Sequence, residues 1–184
     1  MDAGAVSDEE LMLAYGRGDV RAFDLLYARH RGPLYRFLLR GLSVRANADE
    51  CFQEVWSRVI ASRERYRPEA KFSTWLFQIA HNLLVDSYRR KKPEDPAADA
   101  DLALAVTADD DDRQPERTLS AFEERRRLQL AISELPEEQR IAVQLRLEQE
   151  LSLEEIGEIT GVGRETVKSR LRYAMDKLRS KLTA

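Results

Sequence analysis

Residues 152–181 carry a pattern that two helices joined by a tight turn satisfy and a strand does not. Ser152 stands three residues before Glu155, the spacing of a capping box. In that device the serine hydroxyl accepts from a first-turn amide while the glutamate reaches back to the serine amide. Leu153, Ile156 and Ile159 follow at helical intervals. Gly161-Val-Gly163 then supplies a residue type that takes positive φ at no steric cost, as a sharp reversal after a helix requires. Beyond it, Val167, Leu171, Ala174, Leu178 and Leu182 repeat on one face of a second helix. Its other faces carry Arg164, Thr166, Lys168, Ser169, Arg170, Arg172 and Lys177 against the acids Glu165 and Asp176. A helix that docks by its apolar face and offers cations to phosphates, and hydrogen-bonding groups to base edges, needs this layout. Arginine suits guanine because its planar fork matches two acceptors on one base edge. A basic face on a lone amphipathic helix is ordinarily just solvated. Here the capped start, the glycine turn and the cations occur together, and the segment reads as a DNA-binding helix-turn-helix.

The rest of the chain is expected to be helical too, which makes the fold all-α. Ser7 and Glu10 form a second capping-box pair, and Leu11, Ala14, Tyr15, Phe23, Leu26, Tyr27, Leu34, Phe37 and Leu38 recur at helical spacing. Gly16 and Gly18 mark a break, and Gly32-Pro33 a bend or a helix start. A helix is expected from Asn47 to Ile60, with Phe52, Val55, Trp56 and Val59 as its stripe. Another is expected from Phe72 to Arg90, with Phe72, Trp75, Leu76, Ile79 and Leu83. A loop, Tyr66 to Lys71, joins them. Later, residues 119–135 read as a helix ending at Pro136. Pro136 with Glu137 and Glu138 opens the next, carrying Ile141, Leu145 and Leu147, since proline fits a first turn and acids suit its positive end.

Between these halves, residues 93–116 hold Pro93, Pro96, Pro115 and the run Asp109-Asp-Asp-Asp112, with few large apolar side chains. Such a stretch buries too little surface to offset its ordering entropy. The chain is therefore expected to form two small, unlike helical domains, 1–92 and 119–184, on an acidic flexible linker at 93–118. The net charge of −3, from 30 basic and 33 acidic residues, argues against nucleic acid only until its segregation is seen. The single cysteine, Cys51, excludes an internal disulfide and a cysteine-rich metal site. No apolar run approaches the roughly 20 residues of a membrane span. The acidic N-terminus lacks the layout of a signal peptide, so a soluble, cytoplasmic chain without membrane insertion is expected. No catalytic, cofactor or metal constellation is visible: the histidines, His30 and His81, lack a nucleophile or ligand set, and Asp109 to Asp112 lack calcium-loop spacing.

Positive charge also gathers in the first half, at Arg63, Arg65, Arg67, Lys71, Arg89, Arg90, Lys91 and Lys92, interleaved with Tyr66, Phe72, Trp75 and Tyr88. Cations can hold a backbone while unpaired bases stack on rings or enter a pocket. Phe72 and Trp75 equally fit a core stripe by their spacing. Tyr66 lies in the loop and is the ring expected to meet a nucleotide.

Five strings here resemble a known family. Ala48-Asp-Glu-Cys-Phe-Gln-Glu-Val-Trp56, with the segment from Tyr66 through Phe72-Ser-Thr-Trp-Leu76 to Asn82, is similar to region 2 of bacterial extracytoplasmic-function sigma factors. Leu135-Pro-Glu-Glu-Gln-Arg140, Ser152-Leu-Glu-Glu-Ile156 and Thr166-Val-Lys-Ser-Arg-Leu171 are similar to their region 4. The resemblance spans both halves in order, with a linker where the family lacks region 3. It implies an alternative sigma factor of a stress or envelope-response regulon, not an enzyme. Its partners would be core RNA polymerase, through the β′ and β subunits, promoter DNA and an anti-sigma factor. Asp49, Glu50, Gln53 and Glu54 would then face a β′ coiled coil. Tyr66, Arg67, Lys71, Phe72, Asn82, Arg89 and Arg90 would hold the melted −10 element. Arg164, Thr166, Lys168, Ser169, Arg170 and Arg172 would read the −35 duplex. The residues alone leave two other readings open: a stand-alone helix-turn-helix regulator with a sensory first half, and an interaction protein that binds another regulator.

Overall fold

The structure is a computed structural model that describes residues 6–42, 44–90 and 119–183. The linker expected at 93–118 lies outside these. The described residues form eight helices: α1 Asp8–Gly16, α2 Val20–Gly41, α3 Arg45–Ser62, α4 Phe72–Arg90, α5 Leu119–Ser133, α6 Glu137–Leu147, α7 Leu153–Thr160 and α8 Arg164–Thr183. No strand occurs among them.

Local chemistry sets most boundaries. Ser7 and Glu10 close the expected capping box, with the Glu10 amide donating to Ser7 Oγ at 3.2 Å and the Ser7 amide to Glu10 Oε2 at 3.0 Å. The break at Gly16 to Gly18 is present, and Asp19 starts α2 by accepting from the Arg21 amide. Pro33 does not start a helix: it lies inside α2. A proline there removes one ladder hydrogen bond and crowds the preceding turn. Leu34, Phe37, Leu38 and Leu39, all buried just beyond it, hold the helix across that defect. Helix α3 begins at Arg45 and ends at Ser62, two residues beyond the expected limits at each end. Helix α4 has the expected limits. The helix read to Leu135 stops at Ser133. Leu147 and Leu182, both placed on apolar stripes by spacing, are 60% and 39% exposed: Leu147, two positions after Leu145, turns to the opposite side of its helix, and Leu182 lies in the last turn of α8.

Helices α1 to α4 pack side by side in the first half, and α5, α6 and α7 pack on α8 in the second. The halves also meet each other: α4 packs against α7, and α2 touches α6. One buried cluster consequently runs from Leu26, Phe37, Leu76 and Phe77 through Ile141, Leu145, Ile156, Ile159 and Val167. Phe37 and Phe77 meet edge to face, with ring centroids 5.3 Å apart. A separate small cluster of Ala131, Leu135, Val143, Ala174 and Leu178 ties α5 and α6 to α8.

Candidate nucleic-acid interface

In the second half the turn is built as its residues require. Ser152 Oγ accepts from the Glu155 amide at 3.2 Å, and Glu155 Oε2 accepts from the Ser152 amide at 2.7 Å. Gly161 ends α7 in the left-handed region at φ 70°, which a side chain would disfavour. A Cβ on Gly157 would come within 2.7 Å of the Val162 carbonyl oxygen, so glycine also lets the turn fold tightly against α7. Val167, Ala174 and Leu178 bury the inner face of α8.

The outer face presents Arg164, Thr166, Lys168 and Arg172, all exposed, with Ser169 half-buried beside them. Acids tune part of this face. Arg164 bonds Glu154 at 2.6 Å and Glu165 at 3.1 Å, while Lys168 lies 3.8 Å from Glu165. The Arg172 guanidinium sits over the Tyr173 ring at 5.1 Å. Arg170 does not join them. Its side chain is only 18% exposed and pairs with Glu138 of α6 at 2.9 Å. Helical geometry explains this: Arg170 follows Val167 by three positions and precedes Ala174 by four, so it borders the buried seam rather than the outer face. In this arrangement the Arg170 charge serves the packing of the helices.

In the first half, the loop of residues 66–71 leads into α4. Arg67 and Lys71 are exposed, as are Asn82, Arg89 and Arg90 along or at the end of α4. Tyr66 and Phe72 are not: they are 5% and 0% exposed. Their rings, 6.3 Å apart, pack with each other, and Trp75 lies 5.1 Å from Tyr66 and 5.8 Å from Phe72. Tyr66 was the ring expected to meet a nucleotide, yet its apolar body finds a place in the core and floors the loop instead. Its hydroxyl titrates at about 12, because burial and the nearby carboxylates of Glu9 and Asp8 all disfavour the phenolate. Trp75 is the half-buried ring, and it lines an open cleft of about 420 Å³ with Arg67, Glu69, Ala70, Thr74, Gln78 and Glu158. The size and the mixed aromatic and polar walls suit a small planar group.

Sequence reasoning missed that α7 closes one side of this cleft. Lys71 Nζ pairs with Glu155 Oε1 at 2.9 Å, Thr74 Oγ1 donates to the same oxygen at 3.5 Å, and Gln78 Nε2 donates to the Glu158 carbonyl at 3.4 Å. Arg40 also pairs with Glu148, and Arg140 donates to the Tyr88 hydroxyl at 3.4 Å. These pairs join residues up to 108 positions apart, a separation at which local spacing carries no signal. His81, given no role from sequence, is half-buried with its pKa lowered, chiefly by burial and also by the Arg170 charge, against an opposing bond with Asn82.

Glu155 thus both caps α7 and links the halves. Burial pushes its pKa up, but bonds from Ser152 and the Lys71 ammonium outweigh that and hold it at about 2. A carboxylate depressed in the folded state stabilises the fold above its ordinary value of 4.5, and that contribution is lost as pH falls toward 2. Glu155→Gln should therefore flatten the dependence of chemical-denaturation midpoint on pH between about 5 and 2. Identical pH profiles for the two chains would remove Glu155 from this role.

On α3, Ala48, Val55, Trp56 and Val59 face the core, which leaves Asp49, Glu50, Gln53 and Glu54 exposed together on the opposite side. Asp49 accepts from the Tyr35 hydroxyl at 2.7 Å and Glu54 from Arg58 at 2.9 Å. Glu50 and Gln53 complete an acidic, polar helix face. Among the described residues no cluster of potential metal ligands occurs, and no helix is long and apolar enough to cross a membrane.

Residues 26–94 match Sigma-70 region 2 and residues 131–180 match Sigma-70 region 4. The chain is 32% identical to the ECF RNA polymerase sigma factor SigW of Bacillus subtilis, over 90% of this chain and 91% of that protein. It is 31% identical to the ECF RNA polymerase sigma factor RpoE of Cereibacter sphaeroides, over 90% and 88%. In fold it resembles CnrH, solved with the cytosolic domain of CnrY, at a TM-score of 0.68 and 22% identity over 96% of this chain and 97% of that one. It likewise resembles the sigma factor RpoE solved with the anti-sigma factor NepR from Bartonella quintana, at 0.65 and 19% over 88% and 97%. With both sigma regions in order and relatives aligned along nearly their whole length, the chain belongs to the ECF RNA polymerase sigma factors.

Proposed function

We propose that this chain binds core RNA polymerase, reads a promoter at its −35 and −10 elements, assists melting and starts transcription of a stress or envelope-response regulon in the cytoplasm. The observation that carries this reading is the presence of two unlike basic surfaces on one chain. One is the outer face of α8, set at the rigid turn of a helix-turn-helix and suited to duplex DNA. The other is the Arg67 and Lys71 loop beside an aromatic cleft, suited to unpaired bases and their phosphates, with Arg89 and Arg90 at the far end of α4, about 27 Å along the helix.

Each part has a chemical task. Arg164, Thr166, Lys168, Ser169 and Arg172 contact the −35 duplex, and Arg170 fixes the helix that carries them. Arg67, Lys71 and Asn82 engage the melted −10 strand, with Trp75 as the stacking ring and Tyr66 and Phe72 as the packed floor. Asp49, Glu50, Gln53 and Glu54 form the acidic face offered to the β′ subunit. Joining two modest contacts on one chain raises the effective concentration of the second and makes promoter spacing part of recognition. An anti-sigma factor, the kind of partner in one of the similar structures, would hold the protein inactive.

The test is reconstitution. The chain is added to core polymerase, genomic DNA is transcribed, and the transcript starts are mapped. The expected result is initiation at a limited set of sites sharing two spaced elements. Formation of the complex without site-specific starts would overturn the reading. Specific binding by the chain without polymerase, and no initiation, would instead mark a stand-alone regulator.

A further inference from the structure

The first turn of α1 reaches directly under the loop of residues 66–71. Glu9 Oε1 accepts from the backbone amide of Phe72 at 2.6 Å, across 63 residues of sequence. Phe72 is the first residue of α4, where amides have no partner within the helix. Lys71 precedes it, and an ammonium cannot accept a hydrogen bond, so α4 cannot be capped by the residue in the usual place. The Thr74 hydroxyl, in the same first turn, is directed to Glu155 instead. Glu9 supplies both the missing acceptor and a negative charge at the positive end of the helix.

The platform beneath Glu9 is firmly held. The Ser7 and Glu10 capping box fixes the start of α1. Asp8 bonds Arg29 and His30, each at 2.6 Å, and Arg29 also donates to the Val6 carbonyl at 2.9 Å. The His30 ring packs on Phe72 with centroids 5.2 Å apart. Asp8 and Glu9 also both act on the buried Tyr66 hydroxyl. Phe72 is therefore seated on one anchored helical turn, and Tyr66, at the other end of the loop, packs on the Phe72 ring.

We infer that Glu9 is a positioning residue for −10 recognition: it caps α4 from outside and fixes the loop that carries Arg67 and Lys71. This rests on the assignment of that loop to the −10 strand. Glu9 itself touches no DNA, so removing it loosens the loop while its cations remain.

The experiment uses holoenzyme and the single-stranded −10 segment of a promoter found by start mapping, with the −35 duplex of the same promoter as control. Glu9→Ala should bind the −10 strand about fivefold more weakly, the scale set by loss of a helix cap, with −35 binding unchanged. Glu9→Gln keeps an acceptor oxygen and should recover most of the loss. Hydrogen exchange at the start of α4 should quicken in Glu9→Ala and stay slow in Glu9→Gln. Wild-type −10 affinity in Glu9→Ala, or equal losses on the two DNAs, would overturn the inference. Failure of the wild-type holoenzyme itself to hold the −10 strand would instead strike the assignment on which the inference rests.

Discussion

Reversing the outer charges of α8, with Lys168→Glu and Arg172→Glu together, should weaken binding of the holoenzyme to −35 duplex DNA by roughly 100-fold at moderate salt. Both side chains are exposed on the face opposite Val167 and Ala174, so neither change disturbs the seam that holds the helix. The slope of log affinity against log salt should also fall by about two, because each cation that neutralises a phosphate releases about one counterion. Binding of the −10 strand and of core polymerase should persist, since those tasks are proposed for α3, α4 and the loop. Arg170→Ala should behave differently. Its guanidinium is committed to Glu138, and the expected cost falls on the thermal stability of the second half before it falls on base discrimination. A −35 affinity indifferent to the double reversal would remove α8 from DNA.

The second large effect concerns cohesion between the halves. Ile156→Ala should lower stability by about 2–5 kcal/mol, the usual range for truncating a fully buried aliphatic side chain. That is a shift of roughly 10 °C in melting temperature for a chain of this size. Ile156 is fully buried and belongs to the cluster that also contains Phe37 and Phe77, so the damage should reach the first half. The chain's two tryptophans, Trp56 and Trp75, both lie in that half, which makes their fluorescence a reporter of it. Ile156→Ala should therefore shift the tryptophan-detected melt. Leu178→Ala, in the separate cluster under α8, should shift it far less. A tryptophan melt that ignores Ile156→Ala would mean that the halves unfold independently.

What could be read from the sequence followed the range of the physics. Capping boxes at Ser7 and Ser152 act within four residues, so both were legible and both form. The limits of α4 followed from its 3.6-residue stripe, and the turn at Gly161 followed from the one residue type that takes positive φ freely. Pro33 starts no helix, because burial of Leu34, Phe37 and Leu38 carries α2 across it. Tyr66 misled for a related reason: a ring in a loop can still be drawn into the core, and Trp75, placed on a stripe by spacing, lies at its edge and faces the cleft. Arg170 counted as one more cation on a basic helix, although its register set it beside Glu138. Glu9 beneath Phe72 and Glu155 beside Lys71 were not legible, because their partners are 63 and 84 positions away in a chain whose helices each look self-sufficient.

If one chain reads two promoter elements with two separate surfaces, initiation depends on the distance between those elements. Varying the spacer length measures that dependence. In the reconstituted system, base pairs are added or removed between the −35 and −10 elements of a mapped promoter, and initiation is measured for each spacing. The expected result is a sharp optimum, with initiation falling about tenfold within a few base pairs on either side, because the second contact counts only when its geometry permits simultaneous engagement. Initiation that stays level across spacings, or that survives deletion of either element undiminished, would contradict it.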